Sequence, residues 1–466
     1  MHTKNNMLIF VIIGFLCFFL LTETGNARVI TVGHTLGADY WNIQNAIDES
    51  DEGDLIQVWY GTYNEHIVIN KSLTLESRDG TNNTFIDGMG SEIVVDISSD
   101  NVTISNFTVQ NGEIGIKLTG NNIIIMDNTI RNIVGASSGG YSYGIYLHSA
   151  TSNELVSNTI LSVTGGAGRN INVNGYAGAG GNSYGIYLNS GTNNQISNSI
   201  ISGITAGKGG TNRKDLYGYG GYGGYGGNSY GIYLNLGMNN QISNNIISTV
   251  NGGNGGAGTG TGTCIFYCCG YGGPGGYGYG IFIESSDDNI LFNNTVSGGY
   301  KGTGGYGTCP KDYASPGKGY GIAVISDTNR NIFYHNNFES SDTHDGYDSG
   351  GNNAWDAGPG IGGNYWSDYQ GTDDDGDGIG DTPYELAGGI GAKDFFPLIG
   401  PLSCEGDFDG DQDMDGSDLA IFAADFGRTD CSGDCEGDFD EDGNVDKSDL
   451  AVFAADFGRT DCPFHE

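Results

Sequence analysis

The chain reads as short apolar pieces separated by glycine and small polar residues. From residue 55 to 400 each piece is four to six residues long and alternates with period two, which is the grammar of strands. Tyr143-Gly144-Ile145-Tyr146-Leu147 returns as Tyr184-Gly185-Ile186-Tyr187-Leu188 and Tyr230-Gly231-Ile232-Tyr233-Leu234, then in altered form at Tyr279–Ile283 and Tyr320–Val324. A second phrase follows each after a polar turn: Ser157-Asn158-Thr159-Ile160, Ser197-Asn198-Ser199-Ile200, Ser243-Asn244-Asn245-Ile246, Asn293-Asn294-Thr295-Val296 and His335-Asn336-Asn337-Phe338. One unit cannot bury its apolar face alone, so successive units must stack. The predicted fold is all-β, a right-handed parallel β-helix with Gly/Tyr-rich loop insertions.

Alternation also assigns faces. Ile186 and Leu188 share one face and are predicted to fill the core. Ile196, Asn198 and Ile200 share a face, which turns Asn198 inward at a bend. Together with Asn106, Asn128, Asn158, Asn244, Asn294 and Asn336 it is predicted to form a structural asparagine ladder, each amide bonding the next. Spacing along this ladder widens from 22 residues to 50 while the strands keep their length. The surplus must be loops, at about 163–183, 202–229, 248–278 and 297–319. All leave the coil after the same strand and are expected on one side of it. Residues 41–48 carry Ile43, Ala46 and Ile47 at helical spacing and predict a short helix over the open end of the stack.

Composition adds compartment and chemistry. Met7 to Leu21 is an apolar run after Lys4, ending in small residues at Gly25-Asn26-Ala27, so 1–27 reads as an export signal. No later segment is apolar enough to span a membrane. Eight cysteines follow the signal, an even number suited to disulfides in an exported chain. Cys264, Cys268 and Cys269 lie in one loop and Cys309 in the next, which predicts loop-to-loop bridges. Cys404, Cys431, Cys435 and Cys462 allow three connectivities. Net charge is −38, and about 17 of those charges sit in the last 66 residues. Such a surface repels nucleic acid and anionic membranes, and suits hard cations.

The tail concentrates those carboxylates. Two segments 31 residues apart nearly match, from Cys404 to Leu419 and from Cys435 to Leu450, each running into an apolar-periodic stretch that reads as a helix ended by Gly427 or Gly458. Their side chains fall at the spacing of twelve-residue calcium loops: Asp407, Asp409, Asp411, Asp413, Asp415 and Asp418, then Asp438, Asp440, Asp442, Asn444, Asp446 and Asp449. Positions 1, 3, 5 and 12 converge on one cage, position 7 offers a backbone carbonyl, and position 9 often acts through water. A paired loop and helix with Asp at position 12 resembles the dockerin module. That resemblance implies Ca2+ as cofactor and a cohesin-like module on a scaffold or surface protein as partner. Gln412, where such loops usually place Gly, and the four cysteines depart from the pattern. A weaker calcium candidate is Asp373, Asp375, Asp377 and Asp381, spaced by glycines.

Residues 28 to 400 resemble the NosD-like, pectin-lyase-like β-helix proteins of archaeal and bacterial surfaces. The phrases that carry this are Ile43-Gln44-Asn45-Ala46-Ile47, Gly61-Thr62-Tyr63-Asn64-Glu65, Asn70-Lys71-Ser72-Leu73-Thr74-Leu75, and Asn364-Tyr365-Trp366-Ser367-Asp368-Tyr369 followed by the run Asp375 to Tyr384. The expected organisation is a β-helix over 28–338, a C-terminal cap with an Asp-rich loop over 339–400, and a small helical calcium-binding unit over 404–466. The fold alone leaves chemistry open. The outward column beside the core strand runs Lys117, Tyr146, Tyr187, Tyr233, Phe282 and Ala323, without a carboxylate. Tyr146, Tyr187, Tyr233 and Phe282 are a candidate platform for sugar rings, or a stabilising stack. No catalytic residue is assigned. Histidines at 34, 66, 148, 335, 344 and 465 are scattered, which argues against copper. The reading favoured is an exported, carbohydrate-associated binding or surface protein held to a scaffold by its dockerin-like tail. Two alternatives stay open: a polysaccharide lyase or glycoside hydrolase delivered to a cellulosome-like complex, and a structural component of a surface layer.

Overall fold

The computed structural model describes residues 27–466, apart from 173–174, 214–219, 260–268, 309–312, 340, 403–405, 410–412, 430, 432–434, 436, 440–442, 458–466 and the side chains of 451, 452, 455 and 456. The export signal, Cys264, Cys268, Cys309, Cys404, Cys462, Asp411, Gln412, Asp440, Asp442 and Gly458 lie outside the described residues. Among the described residues no helix is long and apolar enough to cross a membrane.

Short strands pair in parallel with their counterparts one coil away, so the chain is a parallel β-helix. Each repeating coil contributes three strands. One sheet of ten runs from Val29–Val32 through Glu154–Val156, Gln195–Ser197 and Gln241–Ser243 to Ile332–Tyr334. A second stacks Thr129–Val134, Thr159–Thr164, Ile200–Thr205, Ile246–Asn251 and Thr295–Tyr300. A third stacks Ser142–His148, Ser183–Asn189, Ser229–Asn235, Gly278–Glu284 and Gly319–Ile325. Ile145, Ile186, Ile232, Ile281 and Ile322 lie in exact register and are fully buried, as are Leu147, Leu188 and Leu234 beneath them. Each such side chain contributes roughly 1.5–3 kcal/mol of transfer free energy. The expected end helix is present as α1, Ile43–Glu49, with Ile43, Ala46 and Ile47 buried. The Glu65 carboxylate accepts the backbone N–H groups of Ile43 and Gln44 at 2.9 Å each and so caps α1 from a distance.

The asparagine ladder exists, with a register correction. Asn128, Asn158, Asn294 and Asn336 stand in it, but Asn106, Asn198 and Asn244 do not. Their neighbours Phe107, Ser199 and Asn245 occupy the buried slot. Asn106, Asn198 and Asn244 instead hold φ of 66°, 53° and 55°, as do Asp127, Ser157, Asn293 and His335 at the same corner. A left-handed residue at the corner breaks the alternation, so parity read on one side does not carry to the other. From Asn245 onward each Nδ2 donates to the next Oδ1: to Asn294 at 2.9 Å, Asn336 at 2.9 Å and Asn364 at 2.8 Å. A second ladder, not foreseen, runs Asn153, Asn194, Asn240, Asn289, Asn331 and Asn353, with steps of 2.8–3.0 Å. Carboxylates terminate both. Asp394 accepts from the Asn364 backbone at 2.7 Å and from the Trp366 indole at 3.0 Å, and Asp348 accepts from the Trp355 indole at 2.9 Å and Asn353 at 3.4 Å. Burial pushes the Asp394 carboxyl up to about 6 although these donors pull it down.

The described arms of the loops do project together, and they are hydrogen-bonded to one another. Each leaves along an outgoing arm (165–170, 206–211, 252–257, 301–306) and comes back along a returning arm (176–182, 222–228, 271–277, 314–318), in two layers. Backbone bonds cross between the layers in one unbroken zigzag. Gly166 N–H donates to Gly140 C=O, Gly181 to Gly166, Gly207 to Gly181, Gly227 to Gly207, Gly253 to Gly227, Gly276 to Gly253, Gly302 to Gly276 and Gly317 to Gly302, all at 2.7–2.9 Å. Further bonds join neighbouring coils within a layer, such as Gly168 N–H to Lys208 C=O at 2.8 Å and Gly180 N–H to Tyr225 C=O at 2.9 Å. Burial follows a period of three: in Gly207-Lys208-Gly209-Gly210 only Lys208 is exposed, and in Tyr222-Gly223-Gly224-Tyr225 only the tyrosines are. Three residues per turn is the repeat of an extended polyproline-II-type chain. A Cβ on Gly181, Gly207, Gly253 or Gly276 would collide with a carbonyl of the neighbouring arm, so only glycine permits this approach. The result is a thin glycine fin standing on one side of the β-helix.

Candidate functional sites

In the tail, both predicted helices form: α2, Gly416–Asp425, and α3, Lys447–Asp456. Each begins in a reciprocal capping box, Asp415 with Asp418 and Asp446 with Asp449. Gly427, at φ 92°, follows α2 as expected. Met414, Phe422, Val445 and Phe453 form a small buried core, with Phe422 and Phe453 rings 5.0 Å apart. A disulfide joins Cys431 to Cys435, which settles one of the open pairings.

The position-12 aspartates are buried at the heads of these helices. Asp418 accepts from Phe408 N–H at 2.8 Å and Asp415 N–H at 2.8 Å; Asp449 accepts from Phe439 N–H at 2.8 Å and Asp446 N–H at 2.7 Å. The fold repeats this arrangement in both loops. Asp407, Asp409 and Asp418 bring carboxylate oxygens within 4.8 Å of one another, and Asp413, Asp415 and Asp418 do the same. Such charges repel by about 4 kcal/mol per pair at 4 Å in a medium of effective dielectric 20, unless a cation sits among them. Asp438 accepts from Gly443 N–H at 3.1 Å, and Asn444 follows Gly443 in the second loop.

The Asp-rich loop of the cap is brought together in part. Asp373, Asp375 and Asp377 converge within 4.8 Å. Asp373 already takes N–H groups from Gly376 at 2.6 Å and Gly378 at 2.9 Å, which hold its carboxyl below the usual range, while Asp377 pushes Asp375 up. Asp381 lies outside the trio and closes the base of the loop by accepting from Asp374 N–H at 2.7 Å.

The outward aromatic column is in register, Tyr146 to Tyr187 to Tyr233 to Phe282, but it is not an open platform. Tyr233 and Phe282 are only 9% and 6% exposed. The sequence reading missed a second column, Tyr143, Tyr184, Tyr230, Tyr279 and Tyr320, that interleaves with the first: Tyr184 lies 5.0 Å from Tyr187 and 4.9 Å from Tyr230. In each Tyr-Gly-Ile phrase the glycine faces inward, where a Cβ on Gly185 would meet Ile201, and this lets the tyrosine turn out. The signal was the constant first tyrosine of the phrase. Burial pushes the Tyr230 hydroxyl up to about 12. Beside these columns runs a polar row, His148, Asn189, Asn235 and Glu284, in which Tyr233 donates to Glu284 at 2.5 Å and Asn235 donates to Asn189 at 3.2 Å. The row holds one carboxylate, and glycoside hydrolysis calls for two facing one bond. An apolar recess of about 590 Å³ lies elsewhere, against Phe292, Tyr334, His335 and Ile361.

Residues 167–371 match the family model described as periplasmic copper-binding protein (NosD), which is under half of the chain. A cell surface glycoprotein of Methanothermus fervidus is 37% identical over 99 residues, covering 20% of this chain and 16% of that protein. The chain thus spans about a sixth of the length of that relative. Among solved structures, pectate lyase Pel9A aligns with a TM-score of 0.35 and 12% identity over 74% of this chain and 75% of that one. The complex of XylC with xylose aligns at 0.33 and 10% identity over 68% and 76%, and an alginate lyase from Paenibacillus sp. at 0.29 and 10% over 70% and 97%. Likeness at that level carries nothing about chemistry.

Proposed function

We propose that this chain is an exported β-helix protein of the cell surface that binds a polysaccharide, and that its tail is a calcium-dependent, dockerin-like module docking onto a cohesin-like partner. The observation that carries the calcium part is the repeated burial of Asp418 and Asp449 at two matched loop-helix junctions, with further carboxylates converging on Asp418. All-oxygen, all-carboxylate clusters suit a hard cation. Copper would call for imidazole or sulfur. The three-ligand clusters among the described residues contain only Asp. A surface location is supported by the glycoprotein relative and by the family description.

Calorimetric titration of calcium into the full chain, after chelation, is expected to show two tail sites. Asp418→Asn with Asp449→Asn should weaken both by roughly 100-fold, since each change removes a charge and a ligand from its cage. Equal heats in the variant would end the calcium reading. For the polysaccharide part, the full chain with calcium is incubated with plant and microbial polysaccharides, and retention and product release are followed together. Retention without new reducing ends or unsaturated products is the expected result. Product release would mean a lyase or hydrolase, and neither signal would favour a structural surface-layer role.

A further inference from the structure

We propose that the polysaccharide lies on the tyrosine-bearing face of the glycine fin, and that the polymer is a neutral one. This rests on the carbohydrate reading above and moves its site from the coil to the loops.

The argument starts from the triplet. In most triplets two residues are glycines locked between arms and the third points to solvent, with Arg169, Ala177 and Pro316 among the exceptions. The fold constrains that third residue very little, since Ala167, Lys208, Asn254 and Thr303 all occupy it in one column of the outgoing layer. The returning layer is different. Tyr176, Tyr222 and Tyr271 stand in register, with ring centroids 4.5 and 5.3 Å apart. The next column is Ala179, Tyr225 and Pro274, and the next Asn182, Asn228 and Tyr277. Tyr176 and Tyr225 are 68% and 58% exposed. Large aromatic side chains gathered on a frame that does not need them mark an interaction surface.

The chemistry of the patch selects the occupant. In a chain of net charge −38, these returning-arm columns contain no carboxylate. Tyrosine rings and phenol hydroxyls offer what a sugar chain needs, a flat apolar surface for its C–H face and hydrogen-bonding groups for its hydroxyls, while the Asn182 and Asn228 amides are spent on Tyr184 and Tyr230 and on the N–H groups of the next coil. Tyr225 has no ring neighbour among the described residues, and Tyr176 ends its stack, so both present an open ring face. The backbone beneath is fixed by the zigzag, so little ordering cost opposes binding. The nine column positions carry neither a carboxylate nor a cation, so the face offers an anionic polymer no counter-charge.

The test uses the full chain with calcium, co-sedimented with cellulose and chitin and run through gels containing xylan, galactomannan or mixed-linkage glucan. At least one of these is expected to retain the wild type. Tyr176→Ala, Tyr222→Ala, Tyr225→Ala and Tyr271→Ala together should weaken retention at least about tenfold, while Tyr146→Ala with Tyr187→Ala leaves it unchanged. Should the fourfold variant not fold, Tyr225→Ser alone is expected to weaken retention about threefold. Retention unaffected by these changes would overturn the fin site and leave the carbohydrate reading standing. Retention by no neutral polymer would overturn the fin proposal, and the wider polysaccharide panel above would then decide the carbohydrate reading. A wild type that self-associates in light scattering, and loses this in the fourfold variant without any polymer effect, would make the face a contact between copies and overturn the proposal.

Discussion

Gly207→Ala is expected to detach the fin while leaving the coil folded. The new methyl group would fall against the Gly166 carbonyl and close to the Gly181 nitrogen, both backbone atoms that cannot rotate away. The arms must separate, and the bonds from Gly207 N–H to Gly181 at 2.8 Å and from Gly227 N–H to Gly207 at 2.9 Å are lost with them. At about 1–3 kcal/mol for each buried backbone group left unmet, the local cost is roughly 3 kcal/mol or more. Ile201 and Ile204, on the strand that feeds the loop, stay buried, so the main thermal transition should hardly move. Hydrogen exchange and limited proteolysis within 202–229 report the difference. Lys208→Ala, one residue on and exposed, should stay within about 0.5 kcal/mol of wild type. Similar protection in the two variants would mean that the arms are not bonded as described.

The second large effect is Asn245→Ala. Asn245 is fully buried; it donates to Ile196 C=O at 3.0 Å, Ser243 C=O at 2.9 Å and Asn294 Oδ1 at 2.9 Å, and accepts from Ser199 N–H at 3.0 Å. Its removal strands groups from three coils, so a loss of roughly 3–5 kcal/mol is expected, with lowered exchange protection at 196–201 and 243–247. Asn244→Gly should be near neutral, since Asn244 holds φ 55° and glycine takes that conformation freely. Denaturation midpoints of the two variants decide the register. If Asn244→Gly were the damaging change, the ladder would run where alternation alone puts it.

That pair shows how far the sequence could be read. Strand identity, stacking, the core column at Ile186 and Leu188, and the end helix near 41–48 follow from apolar spacing, because burial dominates there. The ladder was legible as a motif and mislaid by one residue at Asn106, Asn198 and Asn244. Period two holds only within a strand, and a left-handed corner resets it. The companion ladder from Asn153 to Asn353 was hidden in the paired polar residues before Gln195-Ile196 and Gln241-Ile242, which look like ordinary turn composition. The aromatic platform was half right: the column exists, but the tyrosines of the neighbouring column bury its centre. The fin escaped detection because its period is three, neither that of a strand nor that of a helix. In the tail the two helices and the buried aspartates at their heads follow from the repeated loop-helix pattern, and the cation reading of the loops stands as the proposal above.

The triplet repeat of the fin also sets how its length can change by inheritance. One codon inserted into an arm would rotate every later residue by a third of a turn and drive side chains such as Lys208 or Tyr225 into the space between layers. Three codons together would restore the pattern. The ladder slots of successive coils are separated by 41, 46, 49 and 42 residues. Variation within the arms should therefore arrive in threes. Lineages of such a chain would vary the lettering of the tyrosine face freely and its line length only in fixed steps.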